Sequence, residues 1–377
     1  MMRVSRSNQI NASAVDRILV RATNWVGDAV MTLPAVEALR EVFPASRITV
    51  LAKPWVAPVF ENHPAVDRVI LFHKGRGPFH GLGGTLRVIQ QIRELDFRMA
   101  VLFQNAFEAA LLAFLGGVKF RIGYNSDGRG FLLTHSIVKT KEITEAHQVE
   151  HYLQILRAMG WEAASRDPFL YLSKEGPAKA QDLLRSRGVG PEEMLVGLGP
   201  GAVFGDAKRW PADRFAIIGD WAVQRWGARV LVMGSQGETD ICNAVRASMS
   251  RNALNLCGQT ALDEAMAIVK RCHLFVTNDS GLMHVAAALG VPTVAIFGST
   301  NPAATGPRGP QTAVVQHHVE CAPCLKRRCP TDFRCLMSIP PEAVWAEMEK
   351  LRQKGASASN PSYPVEGVGD EETGRLH

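Results

Sequence analysis

Short apolar runs come in two successive series, and that pattern constrains the fold more than any other feature. The first series is RILVRAT (17–23), RITVLA (47–52), DRVILF (67–72) and RMAVLF (98–103). Segments with helical spacing, VMTLPAVEALREVF, GTLRVIQQIREL and FEAALLAFLGG, separate or follow them. Strands apolar on both faces and alternating with helices predict a parallel sheet covered on each side. The series then restarts with LVGLGPG (195–201), RVLVMGS (229–235), LFVTND (274–279) and TVAIFGS (293–299), again with helical segments between. A chain of 377 residues is long enough for two cores. The expectation is two doubly wound α/β domains, 16–178 and 190–353, joined through KEGPAKAQDLLRSRGVGPEE. The polar ends, 1–15 and 355–377, have little to bury and are expected to be flexible tails.

Composition narrows the partners. Lys plus Arg exceeds Asp plus Glu by 42 − 36 = 6, which suits an anionic partner. No Lys/Arg block is interleaved with aromatics, so nucleic acid is not expected. No apolar run reaches the ~18 residues of a membrane span. The N-terminus MMRVSRSNQINASAVD lacks the apolar centre of a signal peptide, and a cytoplasmic protein is the expectation.

Open α/β sheets bind ligands beyond the carboxyl ends of their strands. Polar residues just after strands are therefore the candidates. Asp28 follows the first strand, beside Gly27, at the start of a greasy helix. It reads as a helix cap, as a general base in the cleft between domains, or as both. On either reading the helix-end amides would hold its carboxylate ionised. In GPGAVFGDAKRWP, Gly201 lies in a Gly-rich turn and Lys208 follows it, a pattern suited to phosphate or to a tight turn with solvated cations. In FVTNDSGLMHVAAALG, Asp279, Ser280, Gly281 and His284 sit at a strand-to-helix junction whose amides suit a diphosphate. The bland alternatives are a capping Asp279 and a core His284. Glu238, after RVLVMGS, reads as a ligand to ribose or base, or as a surface helix start. Cys321, Cys324, Cys329 and Cys335 are spaced Cx2Cx4Cx5C; a structural zinc and a loop of free thiols both remain open.

Taken together, NWVGDAVMTLPAVEALRE, PGAVFGDAKRWP, TNDSGLMHVAAALGVPTVAIFGSTNP and CAPCLKRRCPTDFRCL resemble the ADP-heptose:lipopolysaccharide heptosyltransferases of glycosyltransferase family 9. The resemblance spans about residues 17–352. It implies the GT-B fold, two Rossmann-like domains facing across a cleft, and transfer of heptose with inversion from ADP-heptose to the heptosyl-Kdo-lipid A inner core of lipopolysaccharide. No cofactor or catalytic metal is implied. Asp28 matches the family's catalytic aspartate and Lys208 its diphosphate-binding lysine. Gly201, Glu238, Asp279, Ser280, Gly281 and His284 match donor-binding positions. Trp25 and Val26 stand where many family members carry other residues before the Gly-Asp pair. Lys53, Lys74, Arg76, Arg121 and Arg129 are candidates for the acceptor's phosphates and carboxylates. A lipid acceptor implies peripheral attachment at the inner face of the inner membrane. Alternative readings are a UDP-sugar transferase or epimerase of the same fold, and a nucleotide-sugar-binding protein without turnover.

Overall fold

The computed structural model describes residues 4–5, 10–73 and 80–357. The first sheet contains β1 (Val4–Ser5), β2 (Arg17–Arg21), β3 (Arg47–Ala52), β4 (Arg68–Leu71), β5 (Met99–Leu102), β6 (Phe120–Tyr124) and β7 (His135–Ile137), in the order β1-β7-β6-β5-β2-β3-β4. All its pairings are parallel except β1 with β7. The second sheet contains β8 (Leu195–Gly199), β9 (Arg229–Val232), β10 (Ala253–Asn255), β11 (Leu274–Asn278), β12 (Thr293–Phe297) and β13 (Thr312–Gln316), all parallel, in the order β10-β9-β8-β11-β12-β13.

Every apolar run expected to be a strand is one. The strands without a sequence signal lie toward the sheet margins: FRIGY, HSI, ALN and TAVVQ. Each is short or mixed in polarity, because a strand near an edge need not be apolar throughout. The N-terminal segment is less loose than expected. Val4–Ser5 pairs with β7, and Val15 is buried in the core. The final helix, Pro341–Ser357, runs into the stretch expected to be a tail, whose remainder, 358–377, lies outside the described residues.

In both sheets the chain winds one way and then reverses. β2 leads to β3 and β4, and β5 returns to β2's other side; β8 leads to β9 and β10, and β11 returns likewise. These are the two topological switch points, where such sheets take ligands.

The lobes are joined by helix packing. Helix Val26–Val42 lies against helix Gln148–Arg157 and also against helix Gly281–Ala288 of the second lobe. One apolar cluster continues from Val36 and Leu39 to Val285 and Leu289. Each such aliphatic side chain contributes about 1.5–3 kcal/mol on burial. Polar contacts add to the seam. His147 Nε2 lies 2.9 Å from the Gly306 carbonyl, and Arg308 pairs with Glu150 at 3.1 Å.

Candidate active site

The helix after β2 starts at Val26 and the helix after β11 starts at Gly281. Their N-termini meet. A Cβ on Gly27 would lie 2.7 Å from His284 Cδ2 and 3.6 Å from Gly281 Cα, so only glycine permits this approach. Neither N-cap residue, Trp25 or Ser280, caps its helix with a side-chain hydrogen bond. Two helix ends that carry free N–H groups and positive dipole ends face one gap, an arrangement that favours an anion between them.

Asp28 stands in the first turn of the first of these helices, half-buried at the gap. Its ionised state is not held as the sequence suggested. Burial pushes its pKa up to about 6, opposed by Lys208 and by the Tyr152 hydroxyl, while Asp279 pushes it further up. Loss of hydration outweighs the favourable partners. Such a carboxyl exchanges protons near neutral pH.

Across the gap, Lys208 Nζ donates to Asp279 Oδ2 at 2.6 Å, and Thr300 Oγ1 donates to the same oxygen at 2.6 Å. Asp279 is buried and does not cap its helix; it holds Lys208. The loop carrying Lys208 is fixed by Asn278 at the end of β11. The Asn278 amide donates to Pro200 O at 2.7 Å and accepts from Trp210 N at 3.0 Å. The Ser280 hydroxyl is 3.1 Å from Thr277 Oγ1. His284 is buried, and burial pushes its pKa down to about 4, with Asp279 opposing and His147 and Lys208 adding to the shift. At neutral pH it offers an uncharged imidazole. Glu238 is buried but does stand at a helix start, where it closes a capping box: its Oε2 accepts from Ser235 N at 2.8 Å and Ser235 Oγ at 2.7 Å. Its Oε1 sits over Gly201, where any Cβ would overlap it. The strand ends therefore bring Asp28, Lys208, Asp279, Ser280, Gly281 and His284 to one gap, with Gly201 and Glu238 in contact at the ends of β8 and β9.

The cationic acceptor candidates are employed differently. Arg129 is fully buried. Its guanidinium donates to Tyr124 O at 3.0 Å, to Asn105 Oδ1 at 3.1 Å, and to the carbonyls of Gln104 and Ala106. Arg121 donates to Leu132 O at 2.6 Å and to Val118 O, and covers the Phe114 ring. Lys53 is buried with Nζ 3.7 Å from the centre of the Phe72 ring. Arg121 and Arg129 thus brace loop carbonyls, and Lys53 lies against an aromatic ring. Lys74 and Arg76 lie outside the described residues. Cys321, Cys324, Cys329 and Cys335 line one cavity of ≈ 70 Å³ and are free. Among the described residues no group of three or more His, Cys, Asp or Glu is arranged to hold a metal ion.

Tyr152 and Thr300 were not legible in the sequence. Tyr152 is buried on helix Gln148–Arg157, accepts from Gln148 Nε2 at 3.1 Å, and donates to Asp28. No spacing links it to residue 28; only the packing of two helices does.

The chain matches the family Glycosyltransferase family 9 (heptosyltransferase) over residues 85–333. It is 31% identical over 308 residues to lipopolysaccharide heptosyltransferase 2 of Salmonella typhimurium, covering 80% of this chain and 88% of that one. It is 30% identical to the Escherichia coli protein of the same name, with the same coverage. Among solved structures, that of E. coli ADP-heptose lps heptosyltransferase II superimposes with a TM-score of 0.77 at 28% identity, covering 90% of this chain and 100% of that one.

Proposed function

The chain belongs to glycosyltransferase family 9, the heptosyltransferases, and from that premise we propose that it moves heptose from ADP-heptose to the inner core of lipopolysaccharide. The fold is GT-B. The lobe over 190–353 takes the donor, and the lobe over 16–178 takes a heptosyl-Kdo-lipid A acceptor.

One observation carries the reading: a carboxylate at the switch point of one sheet and a lysine at the switch point of the other open on the same gap between helix N-termini. The amides at the start of helix Gly281–Ala288, Lys208 and the neutral His284 imidazole would bind the diphosphate. Asp279 and Thr300 keep Lys208 in place. Glu238 beside Gly201 is the candidate contact for the nucleoside.

The reaction is one displacement. The acceptor hydroxyl attacks the anomeric carbon and its proton passes to the Asp28 carboxylate. The bond from that carbon to the diphosphate oxygen breaks, and ADP leaves with the electron pair. A base with pKa near the working pH is effective, worth about 10²–10⁴-fold. Cationic and N–H groups aimed at the leaving diphosphate stabilise the charge that develops there. A single base and no enzyme nucleophile give inversion.

Among the described residues no helix is long and apolar enough to cross a membrane. Work on a lipid acceptor then implies peripheral contact at the cytoplasmic face. The test is incubation with ADP-heptose and a mono-heptosylated Kdo-lipid A, read by mass spectrometry. One added heptose and stoichiometric ADP are expected. Turnover of UDP-sugars in place of ADP-heptose would overturn the donor assignment.

A further inference from the structure

Among the described acceptor candidates, Arg121 and Arg129 bond loop carbonyls and Lys53 lies against the Phe72 ring. Of the seven tryptophans, only Trp25 and Trp55 are exposed, at 55% and 57%. They leave neighbouring strands. β2 and β3 are parallel, with Arg21 paired to Leu51 at their ends. Residues 22–25 and 53–57 therefore emerge side by side at the sheet edge that carries Asp28. Trp25 is three residues before Asp28, within ~5 Å along the helix axis at 1.5 Å per residue.

We propose that Trp25 and Trp55 form a preformed stacking platform for a pyranose ring of the saccharide acceptor, seated beside Asp28. The proposal rests on the transfer reading and adds the acceptor contact to it.

Exposed indoles gain little from the hydrophobic effect, so something else must fix them. For Trp55, polar bonds do. Trp55 Nε1 donates to Asn24 O at 2.9 Å. The Asn24 side chain accepts from Arg21 Nη2 at 3.1 Å, and Arg21 Nη1 donates to Leu51 O at 3.3 Å. Arg21 is only 1% exposed. Burying a guanidinium is costly unless it is bonded, and here it ties both loops together. Val56 N and Ala57 N both donate to Lys53 O, which closes a tight turn around Trp55. The ring is thus held through its own N–H and through the turn beneath it.

A rigid indole supplies large contact area at little conformational cost. A pyranose presents a face of C–H groups and a rim of hydroxyls. Stacking that face on an indole leaves a rim hydroxyl free to point at Asp28. A lipid surface is the competing occupant. The saccharide is favoured because the indoles adjoin the proposed base and because the buried Arg21 anchor fixes the Trp55 ring.

Steady-state kinetics with ADP-heptose and a soluble, delipidated heptosyl-Kdo oligosaccharide test this. Trp25→Ala and Trp55→Ala are each expected to raise the acceptor KM at least tenfold. Trp55→Phe is expected to stay within threefold of wild type, and the calorimetric Kd for ADP-heptose within twofold in all three. Acceptor KM unchanged within twofold in both Ala variants overturns the platform while wild-type transfer keeps the function. An equal loss of donor affinity overturns it in favour of a structural role. Loss of binding to Kdo-lipid A vesicles with unchanged kinetics on the soluble acceptor overturns it in favour of a membrane contact. Absence of wild-type transfer rejects the heptosyltransfer reading, and the platform with it.

Discussion

At the carboxyl edge of the second sheet, Lys208 meets Asp279 and Thr300, and helix Gly281–Ala288 presents an uncapped N-terminus. At the same edge of the first sheet, Arg21 and Arg129 are sealed under the loops, bonded to backbone carbonyls. Equal numbers of positive groups would look alike in a sequence. They differ in what surrounds them. A lysine whose carboxylate partner sits at a strand end stays near the ligand gap. An arginine whose guanidinium N–H groups are mostly taken up by oxygens inside the lobe becomes a structural clamp. At these two edges, Arg21 and Arg129 shape loops while Lys208 faces the gap.

The sharpest way to break this contrast is at Asp28, the first lobe's one ionisable group proposed for chemistry. Asp28→Asn is expected to lower turnover about 10²–10⁴-fold with ADP-heptose binding intact, measured by ADP release and calorimetry. Near-normal turnover would remove Asp28 as the base. Next comes Lys208→Ala, expected to lower kcat/KM about a hundredfold by removing a cation aimed at the leaving group. Because Asp279 would then be a buried carboxylate bonded only by Thr300, Lys208→Ala should also destabilise the second lobe. Kinetics indistinguishable from wild type would reject its diphosphate role. Arg129→Met tests the other side. It should lower stability by about 2–4 kcal/mol, through carbonyls left without donors, while acceptor KM moves less than twofold in the folded fraction. A large KM effect without a loss of stability would return Arg129 to the acceptor site.

The fold was legible because strands buried on both faces carry dense apolar runs, as β2, β3, β5, β8, β9, β11 and β12 do. The residues proposed for the donor were legible because a strand-turn-helix junction fixes Asp279, Ser280, Gly281 and His284 by local geometry alone. What stayed hidden depends on contacts distant in sequence. Tyr152 reaches Asp28 only through the packing of helix Gln148–Arg157 on helix Val26–Val42. Arg129 carries a full charge in the sequence, and nothing local announces that Gln104, Asn105 and Ala106 will surround it. The raised pKa of Asp28 was missed for the same reason: the helix amides are local, but the burial depends on packing between segments distant in sequence.

That raised pKa gives the smallest effect and separates function from stability at one atom. Burial lifts the pKa of the Asp28 carboxyl from its ordinary 3.8 to about 6 in the folded chain. The folded state therefore holds its proton more tightly than the unfolded state. By linkage, this group's contribution makes the protein most stable below about pH 4, and that contribution is lost as pH rises through about 6. Two pKa steps correspond to about 1–3 kcal/mol once partial solvent contact is allowed for. Asp28→Asn keeps an acceptor for the Tyr152 hydroxyl and abolishes the titration. It should raise the unfolding midpoint at pH 7.5 by roughly 2–6 °C, and the difference from wild type should vanish near pH 4. His284 contributes oppositely, losing stability as pH falls below about 6.5, but it is present in both proteins and cancels in the difference. In the wild type, kcat/KM should fall tenfold per pH step below about 6, while the residual activity of Asp28→Asn should be flat there. A variant both hotter-melting and nearly inactive at pH 7.5 would mean that the base is kept ionised against the preference of the fold. A variant that melts lower would mean that the Lys208 attraction outweighs burial at Asp28.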